Sequence, residues 1–223
     1  MPFETLDRTT TRDGHELVLY RQNRDFYIYI DGQELMSSRT HGSERALAEI
    51  GCRRLGKKRN PHVLIGGLGL GFTLQAALEI APRTTRLEVV ELFDRVVHWH
   101  RKSLGELAMP IDHERVKVTV GDVVDVIATA AKDPYDAILL DVDNGPSALC
   151  VDGNHRLYAD GGLAAIRAAL SPRGVLTVWS TNRDRGFVRR LTRAGFAASE
   201  EPVRAHAGKG PRHTIFVAEV RGG

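Results

Sequence analysis

The chain has 223 residues, 42% of them hydrophobic and 26% charged, with a net charge of only +3. That is enough chain and enough apolar content for one main globular domain with a small appendage, and the charge makes no case for a polyanion partner such as nucleic acid. No signal peptide and no membrane-length apolar run is legible, and two distant cysteines, Cys52 and Cys150, suggest neither a disulfide framework nor a metal cluster; a reducing, cytoplasmic setting is expected.

From the N-terminus, Glu16 to Tyr20 and Phe26 to Ile30 are rich in β-branched and aromatic residues, which suit a half-buried pleated surface. Asp31-Gly32 supplies a hairpin turn before Gln33 to Met36. The spacing predicts a small antiparallel sheet of two or three strands over residues 1–42, packed on the main domain or on a partner subunit because a lone hairpin is unstable. Ser43 begins a helix carrying Ala46, Leu47 and Ile50 on one face. The basic run from Arg53 to Arg59 lacks an aromatic platform and reads as a solvated helix end and linker.

Residues 43–223 alternate strand and helix, which predicts an α/β domain with a mostly parallel sheet covered on both faces. Val63 to Ile65 form a buried strand, followed by a glycine turn (Gly66, Gly67, Gly69, Gly71) and a helix over Phe72 to Ala81. A strand, a glycine turn and a helix amino terminus make a nucleotide-binding turn, since glycine lets backbone approach a ligand and the helix offers unpaired N–H groups. Leu87 to Glu91 is the second strand. Its terminal carboxylate stands about 20 residues past the turn, where ribose hydroxyls are bound in such folds.

A helix from Phe93 to Leu104 and a strand from Arg115 to Val120 lead to Gly121-Asp122. Asp122 is suited to accept from an adenine amino group, with the Val123 N–H beside a ring nitrogen, and equally suited to cap the helix over Val123 to Ala131. Tyr135 to Asp141 is the most apolar strand and therefore the expected centre of the sheet. Asp141 closes it and opens the loop Val142-Asp-Asn-Gly-Pro146. A carboxylate there, raised in pKa by partial burial, is a candidate proton acceptor, although Asp before Asn-Gly-Pro also starts turns. Asn144 either holds an acceptor group or shapes that turn, and Asp143 is expected in solvent. A loop to about Ala159, a helix from Gly162 to Leu170, a turn at Pro172 to Gly174, a strand to Trp179, a helix near Phe187 to Arg193 and a closing antiparallel pair of strands complete the pattern. The nine histidines show no metal-ligand spacing, and Tyr158 and Trp179 either line an acceptor pocket or pack, with packing the expected role.

With these residues the chain resembles the spermidine synthase (polyamine aminopropyltransferase) family within the class I S-adenosylmethionine-dependent methyltransferase folds. Tyr27 to Gly32 looks like its N-terminal hairpin, His62 to Gly71 its glycine loop, Val89 to Leu92 its ribose-binding strand end, Gly121-Asp122 its adenine contact, Asp141 to Pro146 its Asp-x-x-Asp-Pro motif, and Ser171 to Leu176 its late Pro-Gly-Gly turn. The resemblance implies a Rossmann-like sheet, dimerisation, no metal, a nucleoside held by Glu91, Leu92, Asp122 and Val123, and Asp141 as base. Gly69 and Asn144 stand where the family has aspartates, and its Gln, Asp-Glu and Tyr-x-Glu positions fall near Leu35, Thr40-His41 and Glu44 to Ala46. Burying a dication without partner carboxylates is costly, so these losses argue against a polyamine acceptor. The expectation is therefore ordinary S-adenosylmethionine as cosubstrate and methyl transfer to a small nucleophile. The alternatives are true aminopropyl transfer from the decarboxylated nucleoside, with Asp143, Asp160 or Glu44 replacing the lost acids, and a non-catalytic nucleoside-binding or dimer-forming protein.

Overall fold

A computed structural model of the chain describes residues 2–11, 14–107, 109–142, 155–206 and 209–221. Four antiparallel strands come first, β1 (Glu4–Thr10), β2 (Glu16–Gln22), β3 (Asp25–Ile30) and β4 (Gln33–Ser37), paired in sequence order. Asp31 and Gly32 both have positive φ, 47° and 76°, as a primed two-residue turn requires for the twist of its strands. The sequence pattern predicted two or three strands here and missed β1. Glu4-Thr-Leu-Asp-Arg-Thr-Thr10 is polar because β1 is an edge strand, mostly outside the core, and it is held by pairing with β2 rather than by burial.

The main domain follows as α1 (Gly42–Arg53), β5 (His62–Gly66), α2 (Phe72–Ile80), β6 (Arg86–Glu91), α3 (Asp94–Lys102), β7 (Val116–Val120), α4 (Val123–Thr129), β8 (Tyr135–Leu140), α5 (His155–Tyr158), α6 (Asp160–Ala169), β9 (Leu170–Ser180), α7 (Arg185–Arg193), β10 (Phe196–His206) and β11 (Lys209–Val220). Strand order is β10-β11-β9-β8-β5-β6-β7. The five strands β5 to β9 are parallel, and β11 and β10 close the edge antiparallel. Apolar β8 is the middle strand, as its composition predicts. Two expectations change. Short helix α5 lies within the stretch read as loop. The Pro172 to Gly174 turn is an irregularity inside a longer β9, with Arg173 at φ 63° and a slip in the pairing with β8.

The inner face of the N-terminal sheet shares its core with the main domain. Leu17, Leu19, Phe26 and Ile28 cluster with Leu47, Ile65, Leu74 and Trp99. A polar clamp supports the join, because Asp7 of β1 accepts from Arg95 Nε at 2.7 Å and Trp99 Nε1 at 2.6 Å on α3. The Arg95 bond chiefly holds the Asp7 carboxyl down at about 2. The opposite face of the large sheet packs Leu64, Ile138, Leu140, Ile166, Phe187 and Phe216 in a second cluster. After β7 the chain crosses back to β8 on the other side of β5, so the two carboxyl ends β5 and β8 flank the switch point where ligands of open α/β sheets bind.

Candidate active site

A cavity of about 310 Å³ opens over that switch point. Its floor is the glycine turn. Gly66 ends β5 and Gly71 is the N-cap of α2. Gly67 has φ 90°, and a Cβ on it would collide with the Asp141 carbonyl oxygen, so only glycine lets the two strand ends approach. Gly67 N–H donates to Val90 O and Asp141 N–H donates to Gly66 O, both at 2.8 Å, which ties β6, β5 and β8 into one rim.

Glu91 is buried at the end of β6. One carboxylate oxygen accepts from Leu68 N–H at 2.8 Å and Gly69 N–H at 3.3 Å, and the other accepts from Phe93 N–H at 3.0 Å. Burial raises its pKa, opposed by these backbone donors. Glu91 is thus the clasp of the glycine turn, and it also borders the cavity beside Leu92, which is 44% exposed on the rim. Asp122 caps α4, accepting from Val124 N–H at 2.8 Å, and pairs with the exposed Arg156 at 3.0 Å. Asp122 and Val123 line the same end of the cavity as Glu91.

Asp141, which also lines the cavity, follows the last residue of β8. Thr73 Oγ1, from the first turn of α2, donates to Asp141 Oδ2 at 2.6 Å. Burial, and then the charge of Glu44, lift its pKa to about 7, which the Thr73 bond partly offsets. Glu44, on the first turn of α1, accepts from Ser43 Oγ at 2.7 Å; burial raises its pKa as well. No lysine or arginine is among the described residues lining the cavity, and burial lowers the pKa of the lining His213. Among the described lining residues, a cationic ligand would meet carboxylates and no lysine or arginine.

Several residues that sequence reasoning passed over complete the site. Thr73 and Met36 are two. A third is His100, whose Nε2–H donates to Gly69 O at 2.8 Å while burial lowers its pKa. Trp179, for which pocket lining is the alternative to the expected packing, lines the cavity, with its ring 4.8 Å from that of His213 and its indole N–H buried without a partner among the described residues. Tyr158 does pack, edge-on to Phe187. A helical-spacing signal could not separate these, because each is chosen by contacts with distant segments. Asp160 heads α6 as an exposed residue and is not part of the lining. Asp143 and Asn144 lie outside the described residues. Among the described residues, no group of three or more His, Cys, Asp or Glu could hold a metal ion, and no helix is long and apolar enough to cross a membrane.

Comparison with known proteins agrees with this geometry. A family model described as the spermine/spermidine synthase domain matches residues 43–183. Putrescine N-methyltransferase 4 of Nicotiana tabacum is 36% identical over 123 residues, covering 55% of this chain and 30% of its own length. The polyamine aminopropyltransferase of Bacillus cytotoxicus is 32% identical over 126 residues, covering 55% and 42%. The match thus spans less than half of these relatives. Among solved structures, spermidine synthase from Thermotoga maritima superposes with a TM-score of 0.76 at 17% identity, covering 96% of this chain and 72% of that one. A spermidine synthase bound to the transition-state analogue AdoDATO gives a TM-score of 0.75 at 16% identity, with the same coverage. At such identities the superpositions establish the Rossmann-like fold.

Proposed function

This chain belongs to the spermine/spermidine synthase family, and from that premise we propose that it is an S-adenosylmethionine-dependent transferase that methylates a small amine. The observation that carries the reading is the charge of the cavity: Asp141 and Glu44 line it, and no lysine or arginine does among its described residues. From sequence, the missing family acids argue against a diamine acceptor. Glu44 beside Asp141 restores a pair of carboxylates, so diamines return to the acceptor class together with monoamines.

The residues present fit the cosubstrate. The turn from Gly66 to Gly71 offers backbone where a Cβ would intrude, and we assign Glu91 and Leu92 to the ribose and Asp122 with the first N–H of α4 at Val123 to the adenine, all four lining the cavity. When bound, S-adenosylmethionine supplies an electrophilic carbon next to a sulfonium. Asp141 then accepts the proton that the amine must shed to become a nucleophile, and a pKa near 7 matches that task at neutral pH. Thr73 orients the Asp141 carboxyl, and Glu44 attracts the cation. The apolar lining residues, among them Leu35, Phe72 and Val142, restrict the approach of the amine, from which much of the rate enhancement in a displacement arises. Methyl rather than aminopropyl transfer is favoured because Gly69 carries no side chain and the group covering it is the neutral thioether of Met36. The putrescine N-methyltransferases among the relatives support the same choice.

The test is calorimetric titration with S-adenosylmethionine, its decarboxylated form, 5′-methylthioadenosine and S-adenosylhomocysteine, followed by mass spectrometry of products from putrescine and a panel of monoamines. Preferential binding of the carboxylate-bearing pair and methylated amines are expected. Aminopropylated products would replace this reading with the synthase reaction, and nucleoside binding without any product would leave a binding protein.

A further inference from the structure

Met36 belongs to the N-terminal sheet, yet its side chain ends at the glycine turn of the main domain. It pairs with Ile28 of β3, just before the register of β3 and β4 slips at Tyr29, and shares the inward face with that buried residue. Leu70 N–H donates to Met36 Sδ at 3.2 Å. A Cβ on Gly69 would lie 2.6 Å from both Sδ and Cε of Met36. The thioether therefore fills the space into which any side chain at position 69 would project. The group that meets a ligand at this corner is the neutral thioether, because the nearby Glu91 carboxylate already accepts from the N–H groups of Leu68, Gly69 and Phe93.

We propose that Met36 is a specificity-determining residue that selects the carboxylate-bearing sulfonium nucleoside over the decarboxylated one. The inference rests on the function proposed above. A thioether is a weak acceptor, so the Leu70 N–H is held loosely and an incoming carboxylate gains a stronger, charge-assisted bond by taking it. Methionine has three rotatable bonds and a soft sulfur, which let it move aside and pack against the ligand tail. A tail that ends in an ammonium group alone gains no such bond there and is buried beside an apolar group, which disfavours it. A carboxylate at position 36 would reverse both effects, by occupying the Leu70 N–H, repelling the ligand carboxylate and pairing with the ammonium.

Calorimetric titration of the wild type, M36E, M36Q and M36A with S-adenosylmethionine and its decarboxylated form tests this, with thermal unfolding run in parallel. The wild type is expected to bind the carboxylate-bearing nucleoside more tightly, and M36Q to keep that order. M36E is expected to shift the affinity ratio toward the decarboxylated form by about tenfold or more. If M36E does not fold, M36A serves in its place and is expected to narrow the preference for the carboxylate-bearing nucleoside severalfold, because its tail loses the thioether it packs against and the ammonium tail no longer meets that apolar group. An unchanged ratio in M36E, the same reversal in M36Q, or an equal change for both ligands in M36A would overturn the role of Met36 alone. Failure of the wild type to bind either nucleoside would overturn the proposed function, and this inference with it.

Discussion

Glu91 and Asp141 occupy matching positions, each at the carboxyl end of a strand flanking β5, the first buried and the second half-buried. Their surroundings differ in one respect that decides their chemistry. Glu91 accepts from three backbone N–H groups at 2.8 to 3.3 Å, which fix its position and hold the glycine turn closed. Asp141 accepts from one hydroxyl at 2.6 Å and shares the cavity with a second carboxylate. Backbone donors make a buried carboxylate a structural clasp, whereas too few donors and a like charge leave it poised to take up a proton. In the proposed reaction, Glu91 would hold the ligand and Asp141 would react with it.

The largest effect is expected at Asp141. Asp141→Asn should lower turnover by about a hundredfold or more, the usual contribution of a general base, while S-adenosylmethionine affinity stays within about threefold. In the wild type, kcat/KM should climb with pH and level off above about 7, where Asp141 is ionised, and Glu44→Gln should move that limb toward acid by removing the neighbouring charge. Equal losses of turnover and of nucleoside affinity in Asp141→Asn would erase the contrast with Glu91. The linkage has a definite sign. Asp141 ionises less readily in the fold than in the unfolded chain, so its contribution favours the fold at low pH and fades as pH rises to about 7. Asp141→Asn should therefore melt no lower than the wild type at pH values above that limb.

At the clasp the ranking reverses, with stability affected first. Glu91→Ala strands three backbone donors, each costing about 1–3 kcal/mol when buried without a partner, and water entering from the cavity relieves part of this. A net loss of about 3 kcal/mol in urea unfolding is expected, together with weaker nucleoside binding. Lost binding with stability unchanged would show that Glu91 serves the ligand alone.

The smallest effect sharpens the comparison from outside the cavity. Asp7 joins β1 to α3, and α3 also carries His100 against the Gly69 carbonyl. Asp7→Asn should cost only about 1 kcal/mol at neutral pH, because Arg95 is partly exposed and solvent screens the pair. The depressed Asp7 pKa means this contribution is present above the ordinary carboxylate range and vanishes as pH falls through about 2, so wild type and variant should converge in stability in acid. A constant gap down to that pH would assign the clamp to packing rather than charge.

The sequence by itself determined the parallel sheet, the central place of β8, the glycine turn and the carboxylates that end β6 and β8. These follow from local rules: a buried parallel strand reads as an unbroken apolar run, and a turn that backbone must approach closely reads as glycine. It also exposed Asp122 as a cap, which the structure bears out. Only the tertiary structure decided which groups face those carboxylates. Thr73 and Met36 come from α2 and β4, and nothing in their own segments distinguishes them from residues that merely pack, while Glu44 of α1 and Trp179 of β9 were each legible only as one candidate among several. Edge strand β1 was equally hidden, because its polar residues are held by β2 and by the Asp7 clamp on α3 rather than by burial. Periodicity reports how one element meets water. Which side chains converge on the cavity depends on strand order, a register slip at Leu35 and the crossing back from β7 to β8, and these are properties of the whole fold.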